Sequence, residues 1–211
     1  DTKAKVDLCD SSRGGTSRCR KAVKADDHDM GLKDKLAPFG ILNMMTGLLT
    51  IIFGVSFETS DFIVDCLEQW WDDNKSQNGH INPLVINLDN GPQNSSHRTQ
   101  FMKRIIEFAD KNNLEIVLAY YPPYHSKYNP VERCWGILEN HWSATLLNTL
   151  AITLAWAKTM TWKGLSPVVK LLETTYQKGV KLSKKAFTAM ANRIGRSPSL
   201  PKYYMTIQPQ I

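Results

Sequence analysis

The sequence runs Leu84-Val85-Ile86-Asn87-Leu88-Asp89-Asn90-Gly91-Pro92-Gln93 at the point that decides the fold. A short apolar run that ends in an acid and a turn is typical of a buried β-strand. A helical pattern follows from about residue 96, and a second strand is predicted over 115–121. Pro122-Pro123 end that strand because proline cannot donate to a sheet, and Asn129-Pro130 are typical of a helix start. This alternation of strands and helices predicts parallel strands in an α/β fold.

The segments before this stretch predict an antiparallel part of the same sheet. Apolar runs over 36–42 and 48–55 are separated by residues that can turn, so we predict a hairpin. Residues 1–7 supply a first strand. Ser60-Asp61 can cap an amphipathic helix whose apolar residues recur at helical spacing. The expected architecture is one mixed sheet flanked by helices.

The end of the chain differs from the rest in charge. Of the 26 Lys and Arg residues, nine lie in the region 163–211, against one acid, Glu173, of the 20 in the chain. A basic end suggests an acidic partner such as nucleic acid, although a solvated basic face explains the charge equally well. We predict helices that begin at Ser166-Pro167 and, after a Ser183 cap, near the end. The predicted domains are an α/β domain over 1–162 and a basic helical region over 163–211.

The composition narrows the class of protein. Hydrophobic residues make up 42% of 211 residues, which is enough for a globular core. The apolar stretch 144–157 is too short and too rich in hydroxyl groups to span a bilayer, and we see no signal peptide. The four cysteines form no CxxC pair, so we expect free thiols in a reducing, cytoplasmic setting. A zinc site from Cys9, Cys19 and His28 is a minor alternative.

Two acids stand where metal ligands are often found. Asp89 follows a strand and Glu132 lies in the first turn of a helix, so both carboxylates are held by rigid elements. Each also has a structural explanation. Asp89 belongs to an Asp-Asn-Gly turn, and Glu132 lies three residues after Asn129, in the reciprocal position of a capping box. Taken singly, each acid is structural more often than catalytic.

Other polar residues are weaker candidates. Asp61 fits a helix cap, and His97 lies near the first acid. His125 lies near the second acid, and both histidines could contact DNA or a leaving group, although each is more often a surface or hydrogen-bonding residue. The cluster Asp26-Asp27-His28-Asp29 could bind a metal, but such a cluster is more often an exposed loop. The roles of these residues stay open at this point.

A set of phrases lies in order along nearly the whole chain: Asp1-Thr2-Lys3-Ala4-Lys5, Ser12-Arg13-Gly14-Gly15, Asp27-His28-Asp29, Pro38-Phe39-Gly40-Ile41, Thr59-Ser60-Asp61-Phe62-Ile63 with Trp70-Trp71, Leu88-Asp89-Asn90-Gly91-Pro92, Arg98-Thr99-Gln100-Phe101, Tyr121 through Trp135, Tyr176-Gln177-Lys178-Gly179-Val180-Lys181 and Arg196-Ser197-Pro198. Together these phrases resemble the Rhodopirellula-type DDE transposase family of bacterial insertion sequences. The proline-rich approach to Asn129-Pro130-Val131-Glu132 is also similar to that of mariner-type transposases.

The resemblance implies a ribonuclease H-like fold and three catalytic, metal-binding acids: Asp1, Asp89 and Glu132. Two Mg²⁺ or Mn²⁺ ions would serve DNA strand cleavage and strand transfer during transposition. The expected partner is DNA, both the transposon ends and the target. We expect no association with a membrane, and the chain could form a homo-oligomer. The expected location is the bacterial cytoplasm, in association with the nucleoid.

The resemblance also gives the basic end a role, because DNA phosphates attract lysine and arginine side chains. The candidate DNA-binding residues are Lys178, Lys181, Lys184, Lys185, Arg193 and Arg196. The family has an N-terminal module that binds DNA ends, and no residue here precedes Asp1, so we expect a fragment with an incomplete first strand. The alternative function is a catalytically inactive remnant that binds DNA nonspecifically.

Overall fold

The structure of the chain, a computed structural model, describes residues 1–18, 20–21, 23–26, 34–122 and 128–210. These residues form eight strands and five helices. In chain order the elements are β1 Val6–Asp7, β2 Lys35–Leu42, β3 Leu49–Gly54, α1 Ser60–Asn78, β4 Leu84–Leu88, α2 Thr99–Asn112, β5 Ile116–Tyr120, α3 Pro130–His141, α4 Leu150–Thr159, β6 Val168–Leu172, α5 Lys184–Ala191, β7 Ile194–Arg196 and β8 Tyr204–Ile207.

The chain folds into two compact units, each made of two separate segments. The first unit consists of Asp1–Ser56 and Pro130–Thr175, and the second of Phe57–Asn129 and Tyr176–Ile211. These units are defined by internal packing rather than by function. The predicted domain division between residues 162 and 163 therefore stays a prediction.

The first unit contains a four-stranded sheet in the order β1-β2-β3-β6. Strands β2 and β3 form the predicted antiparallel hairpin, and β6 runs parallel to β3, from Thr50 opposite Val168 to Gly54 opposite Leu172. Helices α3 and α4 contribute to the core of this unit, in which Trp142 and Phe53 are fully buried. The sheet and the apolar face of α3 therefore share one hydrophobic core.

The second unit contains a four-stranded sheet in the order β4-β5-β8-β7. Strands β4 and β5 are parallel, as the strand–helix alternation predicts, and β8 is antiparallel to β5. Helices α1 and α2 bury one face each. Between them, Arg104 donates to Asp61 at 3.0 Å and to Asp65 at 2.7 Å. These charge-assisted bonds tie the two helices together.

The prediction that Asp61 caps α1 is wrong. The cap is Thr59, whose Oγ1 accepts the Phe62 N–H at 3.2 Å. Asp61 lies two positions after the cap, inside the first turn, and its carboxylate accepts from Arg104 and Gln100 instead. Ser183, in contrast, is confirmed as the cap of α5.

The mixed α/β class is confirmed, and the fold is compatible with a ribonuclease H-like architecture. Two details differ from the sequence prediction. Residues after Ser166-Pro167 form strand β6 rather than a helix, because their backbone pairs with β3. The prediction of one sheet is also wrong: β6 and β8 complete two separate four-stranded sheets. In the described residues no helix is both long and apolar enough to cross a membrane.

Candidate active site

Asp89 follows the last residue of β4, and its carboxylate is exposed. Its Oδ1 accepts the Gly91 N–H at 3.2 Å and the Asn94 amide at 2.8 Å. Asn90 between them adopts a left-handed φ of 61°, which asparagine tolerates better than most residues. Asp89 is therefore the turn residue that its sequence predicts, and it also presents a carboxylate at a strand end.

The loop 89–98, which carries Asp89 to the start of α2, is held by side chains from three other elements. Each donates a hydrogen bond to a backbone carbonyl of the loop: Ser60 to Gln93 at 2.6 Å, Tyr120 to Asn94 at 2.8 Å and Arg196 to Ser96 at 2.9 Å. Burial raises the pKa of Tyr120, so its hydroxyl keeps its proton at neutral pH. These bonds fix the backbone on which Asp89 stands.

Glu132 lies in the first turn of α3, with Pro130 at the first helical position as predicted. Its side chain is exposed, whereas Val131, Cys134 and Trp135 on the same helix are buried. An acid in the first turn is stabilised by the partial positive charge of the helix N-terminus. The helix is therefore anchored by its apolar face and presents Glu132 to solvent.

Asp1 lies on a segment that pairs with β2. Its backbone exchanges two hydrogen bonds with Gly40, each at 2.8 Å, and the Lys3 N–H donates to Pro38 at 3.0 Å. The regular part of this strand is confined to β1, so only Val6–Asp7 of the predicted strand 1–7 form a continuous ladder. The Asp1 backbone is nevertheless held at the antiparallel edge of β2.

Gly40 also fixes the approach of α3 to the sheet. A Cβ atom at this position would lie 2.6 Å from Cζ2 of Trp135, 2.7 Å from its Cη2 and 3.0 Å from Cγ1 of Val131. Only a glycine leaves room for the indole ring there. The residue paired with Asp1 thus contacts the helix that carries Glu132, and both acids belong to the first unit.

A second contact between the Asp1 segment and α3 is centred on Glu139. Its carboxylate accepts from Lys3, from Arg13 at 3.3 Å and from the Trp142 indole N–H at 2.6 Å. Burial would raise the pKa of Glu139, but the bonds from Lys3 and Trp142 and the nearby positive charges outweigh it and lower the pKa. Lys3 and Arg13 also lie 5.9 and 5.2 Å from the Trp142 ring centroid. We call these four residues the Glu139 clamp.

Replacing Glu139 with Gln should lower the free energy of unfolding by about 1 kcal/mol near neutral pH, because charge-assisted bonds are lost on a half-exposed side chain. A carboxyl group whose pKa is lowered by folding stabilises the fold at pH values above its pKa in the unfolded chain, which is about 4.3. This stabilisation is lost as the pH falls through the pKa of the group in the folded protein. The difference between wild type and Glu139→Gln should therefore shrink below about pH 4. Urea unfolding at several pH values measures it. Glu173→Gln, at an exposed acid, is the control, and a difference unchanged by pH would contradict this role.

The acids carry the donor chemistry that Mg²⁺ and Mn²⁺ prefer, since both ions bind carboxylate and amide oxygens. Asp1 and Glu132 belong to the first unit and Asp89 to the second. Across the residues with described positions, no three His, Cys, Asp or Glu side chains are grouped so as to hold a metal ion. A metal site shared by the three predicted acids therefore stays a prediction.

The structure describes only some of the weaker candidate residues. His97 is exposed and its N–H donates to Ser95 at 3.3 Å. The backbone of Asp26 pairs with that of Asp10. His125, Asp27, His28, Asp29 and Cys19 lie outside the described residues, so the acidic cluster and the zinc alternative are not tested. Cys66 and Cys134 are buried free thiols, as predicted.

The six predicted DNA-binding residues differ in their surroundings. Lys178, Lys181, Lys184 and Lys185 are exposed. Arg193 instead forms a two-pronged ion pair with Asp110, which holds the pKa of that carboxyl below its ordinary value. Arg196 donates to the carbonyl groups of Pro201 and Ser96, the second of which lies in the loop 89–98.

Three residues that the sequence analysis did not assign to the site support its acids: Gly40, Asn94 and Glu139. Glu139 could be identified from the sequence, because it lies seven residues after Glu132 and therefore on the same side of α3. Gly40 and Asn94 act through contacts that depend on the folded chain. Gly40 lies in the quoted segment Pro38-Phe39-Gly40-Ile41, but that segment does not identify its contact with Trp135, and no quoted segment contains Asn94.

Comparison with known proteins agrees with the resemblance of the sequence. A family model described as the Rhodopirellula transposase DDE domain matches residues 1–209. No curated protein and no solved structure is significantly similar to the chain. Of these three comparisons, the family model alone gives a match, and that match covers nearly all of the chain.

Proposed function

Because the chain belongs to the Rhodopirellula transposase DDE domain family, we propose that it catalyses DNA strand cleavage and strand transfer with divalent metal ions. Asp1, Asp89 and Glu132 are the proposed metal-binding acids. The observation that supports the proposal most is the setting of Asp89, an exposed carboxylate at a strand end whose loop is fixed from three sides. Rigid carboxylates of this kind suit phosphodiester chemistry.

In the proposed mechanism the chain binds DNA and orients its scissile phosphate, and the catalysis of phosphoryl transfer is electrostatic. When held by the acids, Mg²⁺ or Mn²⁺ would supply Lewis-acid polarisation of the scissile phosphate. The loop 89–98 keeps Asp89 in one orientation, and the Glu139 clamp keeps the Asp1 segment on α3. In the cleavage step water attacks phosphorus and the 3′-oxygen of the adjoining nucleotide leaves; in the joining step that 3′-hydroxyl attacks a target phosphorus and a 3′-oxygen of the target strand leaves. No covalent link between protein and DNA forms.

The test of this function uses the full chain and plasmid DNA that carries the ends of its own element. We expect nicked and joined products with Mg²⁺ or Mn²⁺ and none with EDTA. DNA binding without any metal-dependent product would overturn the proposal. That outcome would instead support the catalytically inactive remnant, in which the exposed lysines 178–185 would still bind DNA.

DNA phosphates are the proposed partners of the exposed lysines. Changing Lys181, Lys184 and Lys185 together to Gln should weaken DNA binding at low salt. The slope of log K against log salt should fall by up to about 3, since each lost phosphate contact removes about 0.9. Fluorescence anisotropy across a salt series measures the slope.

The matched control removes the same charge elsewhere in the second unit. Lys75, Lys103 and Lys111 each form an ion pair with a neighbouring acid. Their replacement by Gln should leave the salt slope nearly unchanged. Equal slopes in the two triple variants would contradict a specific role for residues 181–185. Arg193 and Arg196 are less suitable for this test because their loss also removes contacts within the protein.

A further inference from the structure

The side chain of Asn94 is oriented by Asp89. Asn94 is 5% exposed, and its Nδ2 donates to Oδ1 of Asp89 at 2.8 Å. An ionised carboxylate can only accept, so it fixes which end of the amide faces it. The Gly91 N–H donates to the same oxygen at 3.2 Å. Within the described part of the chain, Oδ2 of Asp89 accepts no hydrogen bond.

Three oxygens surround a small space above Gly91. A Cβ atom added at Gly91 would lie 3.1 Å from Oδ2 of Asp89, 3.3 Å from Oδ1 of Asn94 and 3.4 Å from Oδ1 of Asp89. The space exists because Gly91 has no side chain. Two carboxylate oxygens and one amide oxygen therefore lie within 3.4 Å of the same point.

The amide oxygen of Asn94 is buried and has no hydrogen-bond partner among the described residues. The backbone of Asn94 is satisfied, because its N–H donates to Gly91 and its carbonyl accepts from Tyr120. A buried polar atom left without a partner is uncommon and usually has a water or an ion beside it. Here the unpaired oxygen lies next to a carboxylate, which favours a cation.

We propose that Asn94 completes a divalent-cation site on the loop 89–98. Its Nδ2 holds Oδ1 of Asp89 in place, and its Oδ1 joins the Asp89 carboxylate as an oxygen ligand for Mg²⁺ or Mn²⁺. Gly91 keeps the cation position open. This inference rests on the proposed function, which makes Asp89 a metal-binding residue, and adds Asn94 and Gly91 to the site.

The experiment is titration of the full chain with Mn²⁺ by calorimetry, without DNA. Asn94→Ala should weaken Mn²⁺ binding by about 10–100-fold, the usual effect of losing a residue that supports a metal ligand. Asn94→Asp keeps an oxygen and loses the amide donor, so it should retain most of the affinity. Gly91→Ala should weaken binding because its methyl group occupies the space. The φ of Gly91 lies outside the left-handed region, so its backbone accepts alanine.

Controls separate this inference from the proposed function and from misfolding. Gly136→Ala, at a position with open space, should bind Mn²⁺ like the wild type. Thermal unfolding in EDTA checks that each variant is folded at the temperature of the titration. If Asp89→Asn weakens binding while Asn94→Ala and Gly91→Ala bind normally, the role of Asn94 is overturned and the proposed function survives. If Asp89→Asn binds normally, the metal role of Asp89 fails. An Asn94→Asp variant as weak as Asn94→Ala would contradict the prediction that the oxygen carries most of the affinity.

Discussion

Replacing Asp89 with Asn, or Glu132 with Gln, is expected to reduce metal-dependent DNA cleavage by about a thousandfold or more. Each change removes one negative charge and leaves the shape of the side chain nearly unchanged. Stabilisation of a phosphoryl transition state by metal ions is worth several kcal/mol, and each 1.36 kcal/mol corresponds to a tenfold change in rate. A variant that binds metal poorly should therefore lose most of its turnover.

Both substitutions preserve the structural functions of these residues. Asparagine can still accept the Gly91 N–H that Asp89 accepts. Glutamine is tolerated in the first turn of a helix, at the cost of a weak interaction with the helix dipole. Thermal unfolding and DNA binding should thus match the wild type, and cleavage of labelled DNA in Mn²⁺ measures the loss. Asp72→Asn and Glu173→Gln, at exposed acids, are the matched controls; full activity in either site variant would remove that acid from the catalytic set.

Gly40→Ala is expected to lower the free energy of unfolding by about 1–3 kcal/mol, the usual cost of overpacking a core. Its methyl group would lie 2.6 Å from the Trp135 ring, so either the ring or the backbone of α3 must move. Movement of α3 also displaces Glu132 from the segment that carries Asp1, so activity should fall together with stability. Urea unfolding and the cleavage assay measure the two effects.

A double-mutant cycle gives this prediction its control. Phenylalanine at position 135 lacks Cζ2 and Cη2, the two atoms closest to the added methyl group. Gly40→Ala should therefore cost less in the Trp135→Phe background, with a coupling energy of about 1 kcal/mol or more. Gly136→Ala on the same helix meets no atom within 4 Å and should not destabilise the protein. Additive effects of the first two changes would mean that the clash is relieved elsewhere.

Local sequence patterns predicted the elements that are stabilised by their own residues. Strand β4 and the start of α3 are examples, because an apolar run, a proline and a turn act within a few residues. Strand β6 was missed for the opposite reason. Val168–Leu172 is a short apolar run that suits either a helix or a strand, and pairing with β3, over 100 residues earlier, decides between them. Strand β8 likewise depends on β5.

The candidate site likewise has one part that the sequence predicts and another part that depends on the folded chain. The family resemblance gave the three acids directly, since their neighbours in the sequence identify them. The surrounding contacts could not be predicted: Lys3 and Glu139 are 136 residues apart, and Arg196 is 100 residues from the carbonyl group it binds in the loop 89–98. Such pairs become neighbours only through the topology of the folded chain. Asp61 is a related case, because a cap and a partly buried ion-pair partner have the same sequence signature.

The discontinuous first unit has a consequence for the order of events during synthesis. Residues 57–129 separate its two segments. A ribosome that adds about 5–20 residues per second needs about 4–15 s to make them. During this time Lys3 and Arg13 have already been made, whereas Glu139 and Trp142 have not. The Asp1 segment can therefore pair with β2 early, whereas the Glu139 clamp that joins it to α3 forms only after residue 142 has been made.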